Sequence, residues 1–119
     1  MCMIDDAEMV LVANSVHPIA RKPHRCWECG RQIEVGERYR RTGIVEDGTA
    51  WTHKACLHCA GVMDTLSKEC RGVVYGGVYE DVADHADYDV AWAIPLVEGM
   101  RARWRGRDGV LMAVPGASS

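Results

Sequence analysis

Cys26-Trp27-Glu28-Cys29-Gly30 and Cys56-Leu57-His58-Cys59 are two Cys-x-x-Cys pairs with 26 residues between them, and they hold four of the chain's six cysteines. Two thiolates two residues apart grip one side of a metal ion, and a second such pair across a hairpin-sized insert completes a tetrahedral sulfur set. The spacing therefore predicts a small α+β fold clamped by one structural Zn²⁺ per chain, bound by Cys26, Cys29, Cys56 and Cys59. A second ligand set stays open. Trp51-Thr52-His53-Lys54-Ala55-Cys56 puts a histidine three residues before a cysteine, so His53 is the alternative ligand to Cys59.

Working outward, His17-Pro18 and Lys22-Pro23 hold the approach to the first pair extended. Gly30 follows the second cysteine where a knuckle must turn its amides toward sulfur, a turn that favours positive φ. A strand is expected from about Arg38 to Val45. Asp47-Gly48 is a two-residue hairpin signal, with Thr49 to Thr52 returning. Cys56 and Cys59 then open a helix of roughly 14 residues, with Leu57, Ala60, Met63 and Leu66 at helical spacing and Arg71-Gly72 ending it. Knuckle, hairpin and a helix bearing the last ligands is the order of a treble-clef zinc finger. A short helix is expected near Val78–His85 and another over about Tyr88 to Arg105, broken or restarted at Pro95. This divides the chain into an N-terminal segment (1–19), a zinc-binding core (20–71), a helical extension packed on it (72–108) and a loose tail (109–119).

At 119 residues, 48% hydrophobic and 26% charged, the composition is that of one globular domain. No apolar run nears the roughly 20 residues that span a bilayer, and Met9 to Ala13 is too short for a secretory signal. A cytoplasmic location is the expectation, and there paired cysteines bind metal more often than they form structural disulfides. Cys2 and Cys70 fall outside the spacing; Cys70 is expected to pack as a small hydrophobe and Cys2 to lie in a loose terminus.

The net charge of −3 is unevenly spread. Residues 17–41 carry net +4, whereas 71–90 carry net −4. Arg25, Arg31, Arg38, Arg40 and Arg41, with Arg21, Lys22 and His24, surround the knuckle and first strand, and Trp27 and Tyr39 are interleaved. Basic and aromatic side chains in that mixture suit phosphate contact and base stacking. The plain alternative is that the arginines screen an anionic sulfur cluster. Trp27, at a knuckle tip, is expected to be exposed and to serve as an anchor for a protein partner, while Trp92 and Trp104 read as core. In the acidic segment 80–89, Asp81, Asp84, His85 and Asp87 are a candidate second metal site or simply a solvated face.

Four sulfurs leave no open coordination position, so catalysis at the metal is not expected. The histidine base of the treble-clef nucleases has no counterpart on the hairpin, where Thr42, Glu46 and Asp47 stand, and the following helix offers Asp64 but no further histidine. The expectation is a non-enzymatic binding protein that docks on another protein as a regulator or inhibitor. Nucleic-acid binding through the basic pole is the alternative, and a nuclease the minor one.

Arg21-Lys22-Pro23-His24-Arg25-Cys26-x-x-Cys29-Gly30-Arg31-x-Ile33-x-x-Gly36-Glu37-x-Tyr39 resembles the opening of a small family of uncharacterised zinc-binding proteins of bacteriophages and prophages. The likeness runs through Asp47-Gly48 and Cys56-x-x-Cys59 to Tyr75-Gly76-Gly77-Val78-x-Glu80-Asp81-x-x-x-His85, so it spans about residues 20 to 86. It implies a treble-clef fold, a zinc ion, a phage origin and hence a host-cytoplasm setting. In that family the position of His53 is not regularly histidine, which supports the all-sulfur set. It implies no activity.

Overall fold

The computed structural model of the chain describes residues 2–6 and 10–115. Its centre is the expected hairpin: β4 (Tyr39–Glu46) and β5 (Thr49–Cys56) pair antiparallel from Tyr39↔Cys56 to Glu46↔Thr49. Asp47 and Gly48 connect them with φ of 50° and 78°, the left-handed pair that a two-residue turn of matching twist demands. Before it come β1 (Leu11–Val16), β2 (His24–Arg25) and β3 (Gln32–Ile33). β2 and β3 close the knuckle as a second, two-stranded sheet, while β1 lies along β4 and gives the main sheet the order β1-β4-β5. β1 is a strand that the sequence pattern does not announce. All six of its residues are exposed, so no buried alternation marks it.

The first helix, α1 (Leu57–Cys70), has the expected length and start. Cys56 is its N-cap, its sulfur accepting from the Cys59 amide, and Arg71 ends it at φ 62°. After α2 (Val78–Asp87), the expected helix over Tyr88 to Arg105 is shorter: α3 runs Ala93–Arg101. Pro95 stands in its first turn, where a missing N–H breaks no helical bond. Tyr88 to Val90 instead turn back on α2, their amides bonded to the carbonyls of His85 and Ala86. The chain then folds Trp104 under α3. A Cβ on Gly99 would come within 2.1 Å of the Trp104 ring, so this approach requires glycine.

Leu66, Val62, Val82, Val78 and Met100 are fully or nearly fully buried and join the helices to the hairpin in one core. The side chain of Glu28 ties the knuckle to this extension: it accepts from the amides of Gly76 (2.7 Å) and Val78 (3.2 Å), the latter opening α2.

Two expectations are corrected. Cys70 packs in the core as expected, but it is no separate thiol and Cys2 does not lie loose: the two are joined as a disulfide, with Cα atoms 5.8 Å apart. The N-terminal segment, with its 3-10 turn Met3–Asp6, reaches back to the end of α1 and so brings the two together. Likewise, the described part of the expected tail returns over α1. The Met112 amide donates to Trp104 O at 2.7 Å, His58 Nε2 donates to Met112 O at 2.6 Å, and a Cβ on Gly61 would meet Pro115 O at 2.3 Å. Residues 116–119 lie outside the described residues.

Candidate metal centre and basic groove

The knuckle and the start of α1 converge so that the Sγ atoms of Cys26, Cys29, Cys56 and Cys59 all lie within 4.8 Å of one another, a group that could hold a metal ion. Cys26, Cys56 and Cys59 are buried and Cys29 is half-buried. Each sulfur faces one N–H donor. The amides of Glu28 and Arg31 point at Cys26 and Cys29 (3.4 Å each), the amide of Cys59 at Cys56 (3.5 Å), and Trp104 Nε1 at Cys59 (3.4 Å). Gly30, at φ 79°, supplies the turn that aims the second of these. N–H donors stabilise sulfur in its ionised form.

As thiols the four would hold their protons very unevenly. Cys26, Cys29 and Cys59 donate to Cys56 and hold it well below the usual thiol range. Cys59 is pushed far above that range, because Cys26, Cys29 and Cys56 keep its proton in place. A divalent cation resolves the conflict by attracting all four sulfurs as thiolates. Donor type, burial and N–H supply all fit a soft, four-coordinate ion.

His53, the alternative ligand, is turned elsewhere. Its Nε2 donates to Glu28 Oε2 at 2.6 Å, with both side chains buried. Register explains this: His53 pairs with Thr42 across the hairpin, on the opposite face from Lys54, whereas Cys56 ends the strand at the cluster. Trp104 is the centre's member that sequence reading treated only as core. Nothing local marks a donor 45 residues from the sulfur it bonds.

The residues nominated for partner contact separate into two groups. Arg31 is buried and bonded bidentately to Glu37 (2.6 and 3.2 Å). Burial opposes its charge, but Glu37 and the Cys56 sulfur outweigh that and raise its pKa. Arg40 clasps Asp64 (2.8 and 3.0 Å), Tyr39 is buried against His24, and Arg25 donates to Gly30 O. These brace the fold. By contrast Arg38 and Arg41 are exposed and, with Arg21, Lys22 and Lys54, line a groove of about 900 Å³ floored by Pro18, Ile19, His24 and Tyr39. No acidic residue lines it. His24 is held below the usual imidazole range by partial burial and, after that, by the neighbouring charges of Lys54, Lys22 and Arg41. Lys54 joins because β4–β5 register sets it opposite Arg41.

Trp27 is 51% exposed and stacks flat on Trp51, with ring centroids 5.6 Å apart. In the acidic segment, Asp81 and His85 come together while Asp87 is exposed. No helix among the described residues is long and apolar enough to cross a membrane. Comparison with protein-family models, curated proteins and solved structures returns no match.

Proposed function

We propose that this chain is a non-enzymatic binding protein of treble-clef type, clamped by one structural Zn²⁺ on Cys26, Cys29, Cys56 and Cys59, that docks on nucleic acid through its basic groove. The observation that carries the partner is the groove: five cationic side chains around one concavity, with no carboxylate among them. Arg31 and Arg40 are neutralised internally by Glu37 and Asp64, whereas the groove's cations have no carboxylate facing them, so this concentration of charge is not merely a screen for the sulfur cluster. An irregular groove bordered by cations suits a flexible phosphate backbone better than a rigid duplex, which the acidic α2 region would repel. Four thiolates suit Zn²⁺, and the closed set leaves no position for a reacting water. A phage or prophage setting in the host cytoplasm belongs to the same reading and rests on the resemblance alone.

The test is anisotropy titration of a single-stranded oligonucleotide at several salt concentrations. Wild-type affinity should fall with salt, with a log–log slope of about −2 or steeper if three or more phosphates are contacted. Arg21→Glu, Lys22→Glu and Arg41→Glu together should abolish binding while leaving the zinc content unchanged. No binding at low salt, or binding indifferent to the triple substitution, overturns the reading.

The exposed Trp27 on its Trp51 platform favours a second reading, docking on a protein. There Trp27→Ala, rather than charge reversal, would remove binding, since a desolvated aromatic outweighs a rim charge.

A further inference from the structure

The Cys2–Cys70 disulfide is not isolated: His85 Nε2 lies 3.8 Å from Cys2 Sγ and 3.6 Å from Cys70 Sγ, and the three ligand atoms group closely enough to hold a metal ion. We propose that Cys2, Cys70 and His85 form a second zinc site, distinct from the four-cysteine centre, that the disulfide closes and reduction opens.

The histidine is already set up as a ligand. Its Nδ1 lies 2.8 Å from Asp81 O, and a carbonyl oxygen only accepts, so Nδ1 carries the proton. In the neutral ring Nε2 then presents its lone pair to both sulfurs. Behind the ring stands the Asp81 carboxylate, with Oδ1 3.3 Å from Nδ1. That carboxylate is fully buried and makes no close hydrogen bond among the described residues, although the His85 ring and the Met3 backbone lie beside it. A buried acid so thinly partnered is costly in a fold that only needs packing there. Behind a metal-bound imidazole it has a role, since a cation on Nε2 makes Nδ1–H a stronger donor and the carboxylate orients the ring. Trp92 packs on the same ring at 5.0 Å and fixes its plane.

The distances fit. Zinc–sulfur and zinc–nitrogen bonds of about 2.3 and 2.0 Å at a tetrahedral angle put sulfur and nitrogen about 3.5 Å apart. Only the two sulfurs have to separate, to about 3.8 Å, by rotation about the side-chain bonds of the half-buried Cys2. The chemistry balances with a dithiol as reductant. One of its thiolates attacks a sulfur of the disulfide and expels the other cysteine; its second thiolate then resolves the mixed disulfide, its own disulfide leaves, and two electrons and two protons end on Cys2 and Cys70. Zn²⁺ then displaces both thiol protons to solvent, and a water fills the fourth position.

The experiment counts zinc per chain by plasma mass spectrometry on the full protein. One sample is oxidised; the other is reduced anaerobically with a phosphine, which supplies the same two electrons. Both are given Zn²⁺ alone and desalted, and thiols are counted in parallel. Reduction should raise the content from one zinc to two. In Cys2→Ser and, independently, His85→Gln, the reduced protein should stay at one. The readout is the increment on reduction, so failure of the four-cysteine reading would lower both totals without touching it. Reduced wild-type protein with its Cys2 and Cys70 thiols free and no gain in zinc would overturn the proposal. So would an increment that survives both substitutions.

Discussion

The chain holds two cysteine clusters that differ in how the backbone assembles them. At the four-cysteine centre each pair is local: a knuckle and a helix start, each of which aims amides at its own sulfurs. At the Cys2–Cys70–His85 cluster every member comes from a different element, with 68 residues separating the two cysteines. The first geometry is dictated by a few residues of sequence and needs only a hairpin to bring its halves together. The second exists only once the N-terminal segment, α1 and α2 are packed. The first should therefore behave as a precondition of folding, and the second as its consequence.

Cys56→Ser tests that contrast most severely. Removing a ligand that is also the N-cap of α1 should forfeit metal and cap together. The metal contributes on the order of 10 kcal/mol at neutral pH, so the variant should lose zinc and cooperative thermal unfolding at once. Cys26→Ser and Cys59→Ala should follow it, whereas His53→Ala should keep its zinc. His53 holds Glu28 rather than the cluster, so the cost there is one charge-assisted hydrogen bond of a buried carboxylate that keeps the Gly76 and Val78 amides, about 1–3 kcal/mol. A folded, metal-free Cys56→Ser protein would erase the distinction between the two centres.

The second cluster should show a smaller effect that depends on redox state. Under oxidising conditions Cys2→Ser should lower stability by about 2–4 kcal/mol, as expected when a long loop loses its cross-link. Unfolding should remain cooperative and the four-cysteine zinc should be retained. Chemical denaturation followed by tryptophan fluorescence, with zinc content measured in parallel, checks both halves. Loss of zinc along with the disulfide would mean that the first centre depends on the second.

What was legible in the sequence follows the same division. Asp47-Gly48, Gly30 and the N-cap Cys56 each act within a few residues, and the hairpin, the knuckle turn and the start of α1 fell where expected. β1 escaped because all its side chains face outward, so an edge strand there looks like any exposed segment. The Cys2–Cys70 pairing escaped because spacing says nothing about cysteines far apart in the chain. The grouping Asp81, Asp84, His85 and Asp87 drew on one helix, but the partners of His85 lie on two other segments. The basic pole was visible as composition. Which arginines are free was not, since that depends on where Glu37 and Asp64 fall in space.

Trp104→Phe probes the finest point of the comparison, because the four-cysteine centre is not wholly local: its fourth N–H comes from Trp104 in the extension. Phenylalanine keeps most of the ring packing against Gly99 and His58 but cannot donate to Cys59. The zinc should stay, since four ligands remain, yet the loss of an outer-shell donor should speed its release to a chelator by about 10-fold or more. Stability should fall by about 1–2 kcal/mol, the scale of one charge-assisted hydrogen bond plus a small volume loss. Trp92→Phe supplies the control. It stands on His85 at the other cluster, so it should leave the release rate at the four-cysteine centre unchanged. Equal release rates for Trp104→Phe and wild type would show that the three backbone amides suffice. The extension would then merely cover the metal, and the first centre would be as local as its sequence suggests.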